Sequence, residues 1–244
     1  MEHTDDAPER TTDTPRRFAI AIHGGLSDSG DKDKDFEDVA KVTLTDIIDL
    51  ALKRLMDGEP ALQVAEAAVA ALEDATVFNP GKGSAAFNAM PEYEVSGLFF
   101  KFVSPDLYST ISCTQLEAAI MDGSTTRIGA VAAMRSTRNP VKAARRVLES
   151  GQHAFIVGPA ADEFAKNCGL EQVLPNSRTQ TYISLPSEDP DFGTVGAVVL
   201  DIYGNLAAAA SSTGGIHGKD SDRIGDTANP GAGIWADHSS AIIW

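Results

Sequence analysis

The chain has 244 residues, of which 43% are hydrophobic and 23% are charged, and its formal net charge is -15. This length is enough for one large domain or two small ones with a sizeable core, and the composition is ordinary for a globular protein. The negative charge argues against nucleic acid as a partner, since phosphates attract basic surfaces. Without an apolar signal segment or a run of membrane-spanning length, a cytoplasmic protein with no membrane partner is expected.

The N-terminal region divides into a tail and the start of a domain. Residues 1–17 are polar and aperiodic, which predicts a disordered tail ahead of a single domain over residues 18–244. An apolar strand over 18–22 leads into His23, interpreted as a hydrogen-bonded structural residue. Gly24 and Gly25 follow, and they allow close approach of a neighbouring backbone.

Helical spacing of apolar residues predicts two core helices next, over 36–55 and from Pro60 through Leu72. Residues 78–84 form a glycine-rich turn whose spacing does not match a phosphate-binding loop.

The middle of the chain alternates strands and helices. A strand is predicted over 127–134, then a helix capped by Asn139 that ends at Gly151. A strand over 154–157 and a helix over 159–168 follow, with Cys168 interpreted as a packed structural cysteine.

Thr194 lies between Gly193 and Gly196 and opens a strand of small and β-branched residues, reached through a polar segment over 172–193. Alone, this pattern indicates no more than the start of a strand. The pattern becomes informative together with the segments that follow it. These are a second small-residue strand from Leu206 to Ala210, then Ser211 to Gly215, Lys219, Arg223 to Asp226, and Gly231 to Gly233.

Together these motifs resemble the isoaspartyl peptidase/L-asparaginase family of N-terminal nucleophile hydrolases, whose relatives include glycosylasparaginase and threonine aspartase. The matching blocks occur in family order and are His23 to Gly25, Phe78 to Ser84, Leu116 to Gly123, the Thr194 strand, and Arg223 to Gly233.

The resemblance implies an α/β (α+β) fold in which two stacked sheets lie between helices, a four-layer αββα sandwich. It also implies self-cleavage into segments 18–193 and 194–244, then hydrolysis of L-asparagine or isoaspartyl dipeptides through an acyl-enzyme. Two alternatives stay open: a threonine-aspartase-like protease, and an inactive truncated paralogue or fragment acting as a binding or regulatory subunit.

The chemistry explains why cleavage would precede catalysis. A threonine hydroxyl needs a base to act as a nucleophile. Cleavage between Gly193 and Thr194 would give Thr194 an α-amine that titrates near pH ~8 and can take the proton of its own hydroxyl.

The resemblance assigns the remaining site residues. Thr213 matches the threonine that hydrogen-bonds the nucleophile, and Asn79 matches an asparagine beside the active site. The loop with Gly24 and Gly25 is expected to pack beside Thr194. Arg223 is expected to pair with the substrate α-carboxylate and Asp226 with the α-ammonium. No cofactor is expected apart from a possible structural sodium at the 78–84 turn, and a homodimer of cleaved protomers is implied.

Three features depart from the family pattern. Between Asn205 and Thr213 there is one additional residue, so a β-bulge is expected to keep Thr213 facing Thr194. The apolar segment 96–113 is an insertion, interpreted either as a lid or interface element or as sequence foreign to the mature protein. The family continues beyond the strand begun by residues 239–244 into oxyanion-hole donors, so these 244 residues alone are expected not to hydrolyse asparagine.

Overall fold

The structure is a computed structural model that describes residues 17–25, 34–75, 77–78, 116–173, 194–212 and 224–243. These residues form eight strands and four helices. In chain order they are β1 Ala19–His23, α1 Lys34–Met56, α2 Ala61–Asp74, β2 Leu116–Asp122, β3 Arg127–Met134, α3 Pro140–Ser150, β4 Phe155–Val157, α4 Pro159–Asn167, β5 Val195–Leu200, β6 Leu206–Ser212, β7 Ile234–Ala236 and β8 Ala241–Ile243.

Six of the strands form one sheet in the order β1-β5-β6-β2-β3-β4. Neighbouring strands are antiparallel except β3 and β4, which are parallel. The other two strands, β7 and β8, pair antiparallel in a small second sheet. The strand that follows Thr194 therefore lies between β1 and β6 in the large sheet.

The two faces of the six-stranded sheet bury different cores. Residues of all four helices pack on one face, which we call the helix face, against strand residues such as Val195, Ala197 and Ile120. On the other face, the inter-sheet face, Ala119 and Met121 belong to a smaller cluster with Ile234 and Ala236 of β7. The alternation of side chains along each strand produces this division. The described residues thus form three layers, and the fourth layer of helices stays a prediction.

The ends of two helices are fixed by carboxylates that are distant in sequence. The backbone N–H of Ala61 at the start of α2 donates to Asp201 over 3.0 Å, which joins this helix to the β5–β6 turn. The N–H of Val141 in the first turn of α3 donates to Glu73 over 3.0 Å. Asn139 occupies the N-cap position of α3 as predicted, but its side chain makes no cap hydrogen bond. Glu73 supplies a cap there instead.

Several other predictions can be compared with the structure. The strand over Arg127–Met134 is confirmed, and α3 ends as predicted at Gly151 with a φ of 63°. The predicted packing of Cys168 is wrong, because this cysteine is exposed. The tail and the 96–113 segment lie outside the described residues, apart from Arg17. Within the described part of the chain, no helix is long and apolar enough to cross a membrane.

Candidate functional site

Thr194 directly precedes β5 and is half-buried. Strand alternation places it with Gly196 and Val198 on the inter-sheet face, where Val198 packs against the small core. A Cβ atom added at Gly196 would lie 2.8 Å from Cδ1 of Ile243, which confirms that this side of β5 faces the second sheet. The candidate nucleophile therefore lies at one end of the interface between the two sheets.

The strand register shows which residues lie beside Thr194. β5 pairs with β6 without interruption from Leu200 opposite Leu206 to Val195 opposite Ser211. Continued by one residue, this register places Ser212 opposite Thr194. Ser212 is in turn paired with Glu117 of β2. Thr194, Ser212 and Glu117 thus form a polar row at the end of the sheet.

The predicted β-bulge is absent from the paired stretch, because the register between β5 and β6 does not shift. A residue added to a strand without a bulge moves each following side chain by one position. The position opposite Thr194 therefore belongs to Ser212. Thr213, to which the sequence assigned this role, lies outside the described residues.

The hydroxyl of Thr227 lies beside the hydroxyl of Thr194. The two side-chain oxygens, Oγ1 of Thr194 and Oγ1 of Thr227, lie 3.2 Å apart, and either could donate the hydrogen bond. Thr227 is 4% exposed, so water competes little for its hydroxyl. The loop that carries Thr227 therefore approaches the start of β5 closely enough to orient the Thr194 side chain.

Glu117 is a buried carboxylate on the same side of the sheet, with 1% of its surface exposed. Its Oε2 accepts the backbone N–H of Gly225 over 2.8 Å. Burial raises the pKa of Glu117, and nearby Asp226 acts in the same direction. The backbone N–H groups of Gly225 and Thr227 and the hydroxyl of Thr227 hydrogen-bond to the carboxylate and lower its pKa.

Two glycines permit this close packing. A Cβ at Gly225 would lie 2.5 Å from Oε1 of Glu117, so a larger residue would displace the carboxylate. A Cβ at Gly233 would lie 2.3 Å from the backbone oxygen of Asp226, where β7 begins beside the loop. Both glycines belong to the block that resembled the asparaginases, and their role here is to bring the 224–227 segment against β2.

His23 and the glycines after it border Thr194 from β1. His23 pairs with Gly196, and the same register continued by two residues brings Gly25 opposite Thr194. Burial lowers the pKa of His23, and a backbone hydrogen bond with Thr194 acts in the opposite direction. A Cβ at Gly24 would lie 2.2 Å from the ring of Phe78, so this glycine permits a close approach.

Of the remaining predicted site residues, the structure describes one and leaves the others outside the described ranges. Asp226 is described and exposed, directly before Thr227. Gly193, Asn79 and Arg223 lie outside the described residues, as does the rest of the 79–84 turn to which the structural sodium was assigned.

The sequence also resembles characterised proteins along most of its length. The profile of the family described as asparaginase matches residues 16–97, 111–185 and 176–243. The isoaspartyl peptidase of Escherichia coli strain K12 is 34% identical over 248 residues, covering 93% of this chain and 70% of that protein. The isoaspartyl peptidase of Salmonella typhimurium is 33% identical over 248 residues, covering 93% and 72%. The isoaspartyl peptidase/L-asparaginase of Homo sapiens is 31% identical over 237 residues, covering 92% and 69%.

The chain therefore belongs to the asparaginase family. Its six-stranded mixed sheet and four helices are consistent with the fold of the N-terminal nucleophile hydrolases.

Sequence reasoning missed two members of this site, Glu117 and Thr227. Glu117 stands in the apolar segment Leu116–Asp122, and a charged residue within a strand that is otherwise buried is a signal that could have marked it. Thr227 has no comparable signal, because its importance depends on the loop that carries it to Thr194.

Proposed function

We propose that this protein is a self-cleaving amidohydrolase of the asparaginase/isoaspartyl peptidase type, with Thr194 as its nucleophile. The observation that carries the proposal is the place of Thr194, on the inter-sheet face at the start of β5, with its Oγ1 3.2 Å from that of Thr227. Membership of the asparaginase family and the names of the relatives support the reaction class.

The proposed reaction begins with cleavage of the Gly193–Thr194 bond, which gives Thr194 a free α-amine. This amine takes the hydroxyl proton as the Thr194 oxygen attacks the side-chain amide carbon of the substrate. The carbon–nitrogen bond breaks, the proton passes to the leaving amine, and an ester on Thr194 remains. Water then attacks the ester, which releases the acid and restores the threonine hydroxyl.

The substrate class follows from the groups proposed to hold its amino-acid end. Arg223 would pair with the α-carboxylate and Asp226 with the α-ammonium, so L-asparagine and β-aspartyl dipeptides are the expected substrates. Asp226 is exposed to solvent and adjoins Thr227, so a ligand could reach its carboxylate. Asn79 is proposed to lie beside the nucleophile. A four-layer sandwich and a homodimer of cleaved protomers complete the proposal.

The test is the processing and activity of the full chain, and its outcome also decides the expectation from the family pattern that these 244 residues alone do not hydrolyse L-asparagine. Mass spectrometry of wild-type protein after prolonged incubation should show two fragments that meet at Gly193 and Thr194. The variant Thr194→Ala should stay intact and release no ammonia from L-asparagine, while Thr194→Ser, which keeps a hydroxyl, should retain part of the cleavage. A wild-type chain that stays uncut would contradict the proposal and favour an inactive binding or regulatory paralogue.

The choice of substrate separates this proposal from its protease alternative. Cleaved protein should release aspartate from β-aspartyl dipeptides and leave longer polypeptides intact. Cleavage of proteins after aspartate, with no action on L-asparagine, would instead identify a threonine-aspartase-like protease.

A further inference from the structure

The uncleaved chain has a chemical requirement that the cleaved chain does not share. Before cleavage the nitrogen of Thr194 belongs to a peptide bond and cannot accept the hydroxyl proton, since its lone pair is delocalised into the carbonyl. If self-cleavage occurs as proposed above, another group must receive this proton.

We propose that Glu117, acting through the hydroxyl of Thr227, directs the Thr194 hydroxyl proton and receives it during self-cleavage. The geometry is a chain of contacts between described residues. Oγ1 of Thr194 lies 3.2 Å from Oγ1 of Thr227, and the N–H of Gly225, two residues before Thr227, donates to the buried Glu117 carboxylate over 2.8 Å. Hydrogen bonding from the Thr227 side chain lowers the pKa of that carboxylate. This inference rests on the proposed function, because it concerns the same nucleophile.

The direction of each hydrogen bond follows from the number of protons available. An ionised carboxylate only accepts, and a threonine hydroxyl has one proton to donate. Thr227 therefore donates to Glu117 and can only accept from Thr194. The Thr194 proton then points at Thr227, which leaves the lone pairs of the Thr194 oxygen free for attack on a carbonyl carbon.

The backbone contacts of Glu117 hold the acceptor in place for this arrangement. The N–H of Gly225 donates to Oε2 over 2.8 Å, and the absence of a side chain at Gly225 allows the carboxylate to lie this close to the loop. Burial raises the pKa of Glu117, which makes this carboxylate a better proton acceptor than an exposed one. Among the described residues, the other titratable groups near this chain of contacts are Asp226 beside Glu117 and His23 beside Thr194.

The step balances in atoms and protons. The Thr194 oxygen bonds to the Gly193 carbonyl carbon as its proton passes to Thr227 and the Thr227 proton passes to Glu117. The Gly193–Thr194 carbon–nitrogen bond breaks, and the nitrogen takes the proton held by Glu117 to become the amine. Water then hydrolyses the ester, which gives a Gly193 carboxylate and restores the Thr194 hydroxyl.

Glu117 is thus a positioning residue and proton acceptor for processing, and it is distinct from the α-amine that would serve turnover. A glutamine at 117 cannot replace it. Its single carbonyl oxygen can accept the Gly225 N–H, but its amide then donates toward Thr227 and reverses the hydroxyl direction.

The experiment follows the appearance of the two fragments in full-length protein. Thr227→Val, which keeps the shape and removes the hydroxyl, and Glu117→Gln should each slow cleavage at least about 100-fold. Thr227→Ser should restore cleavage to within a few-fold of wild type. The double variant should be no slower than the slower single variant, since both act on one chain of contacts.

Glu73→Gln is the matched control, because Glu73 is the other fully buried glutamate among the described residues and lies on the helix face. It should cleave at the wild-type rate. Urea denaturation of Thr227→Val should give one cooperative transition with a free energy of unfolding close to that of Thr227→Ser, which separates a processing role from general misfolding.

Three outcomes would overturn the inference while leaving the proposed function intact. These are wild-type cleavage by Thr227→Val, multiplied effects in the double variant, and an equal loss in Glu73→Gln. If Glu117→Gln does not fold, the Thr227→Val and Thr227→Ser pair decides alone. A wild-type chain that never cleaves would overturn the inference and the proposed function together.

Discussion

The two faces of the six-stranded sheet each bury one glutamate, and the two carboxylates differ in what they contact. Glu73 on the helix face and Glu117 on the inter-sheet face are 0% and 1% exposed, and burial raises the pKa of both. Glu73 accepts the N–H of Val141 and fixes the start of α3. Glu117 holds the 224–227 segment and, through Thr227, reaches Thr194. A buried carboxylate with a raised pKa is therefore not in itself a functional site, since its neighbours decide its role.

The largest expected effect tests whether the helix face depends on close backbone packing. A Cβ at Gly129 of β3 would lie 2.0 Å from the backbone oxygen of Ala144 and 2.4 Å from the backbone nitrogen of Leu148, both in α3. Backbone atoms of a packed helix cannot move aside as a side chain can. Gly129→Ala should therefore lower the free energy of unfolding by about 4 kcal/mol, beyond the usual range for overpacked cores. Urea denaturation measures this loss.

Two other glycines serve as controls for that prediction. Gly169 has a φ of 76° with nothing near its added Cβ, so Gly169→Ala should cost only the backbone strain of about 1 kcal/mol. Gly225→Ala meets the side chain of Glu117 rather than backbone, so it should destabilise less than Gly129→Ala but slow self-cleavage. Equal stability of Gly129→Ala and wild type would show that α3 does not pack as closely on β3 as described.

The second prediction concerns the pH dependence that Glu73 imposes. Its pKa is raised from 4.5 to about 7, mainly by burial. A carboxyl with a higher pKa in the folded chain binds its proton more tightly when folded, so its stabilising contribution is present at low pH and lost as the pH rises through 7. Between pH 4.5 and 8 this loss amounts to about 3 kcal/mol.

Glu73→Gln should remove that dependence, because an amide does not titrate and its oxygen can still accept the N–H of Val141. The difference in unfolding free energy between Glu73→Gln and wild type should grow in favour of the variant by about 3 kcal/mol from pH 4.5 to 8. Denaturation curves at several pH values measure it. A difference that stays constant with pH would mean that Glu73 is ionised in the folded protein throughout this range.

Much of this architecture could be predicted from local sequence. The strand over Arg127–Met134 and the helix ending at Gly151 follow from periodicity and from glycine at a helix end. The small residues around Thr194 marked the start of β5 because such a run suits a strand buried on both faces. The order of the motifs was enough to indicate the family, which the comparisons confirm.

What the sequence could not provide were contacts between distant segments. Glu73 reaches Val141 across 68 positions, and Glu117 reaches Gly225 across 108. Neither pairing leaves a periodic pattern in the sequence. For this reason the sequence predicts Asn139 as the side-chain cap of α3, where Glu73 provides it, and predicts no role for Glu117. Strand register is similarly non-local, because it depends on the β5–β6 turn and on both sheet faces.

The last and smallest predicted effect tests this register at Thr194. Uninterrupted pairing of β5 with β6 places Ser212 opposite Thr194, whereas the family spacing assigned the partner hydroxyl to Thr213. This register predicts a hydrogen bond between the Ser212 and Thr194 hydroxyls. Loss of one neutral hydrogen bond costs about 1 kcal/mol, so Ser212→Ala should slow self-cleavage about fivefold. Thr213→Ala should then have less effect, and the two variants are compared by the rate at which fragments appear. A larger effect in Thr213→Ala would place a bulge between Ser211 and Thr213, restore the family spacing, and remove Ser212 from the row that joins Thr194 to Glu117.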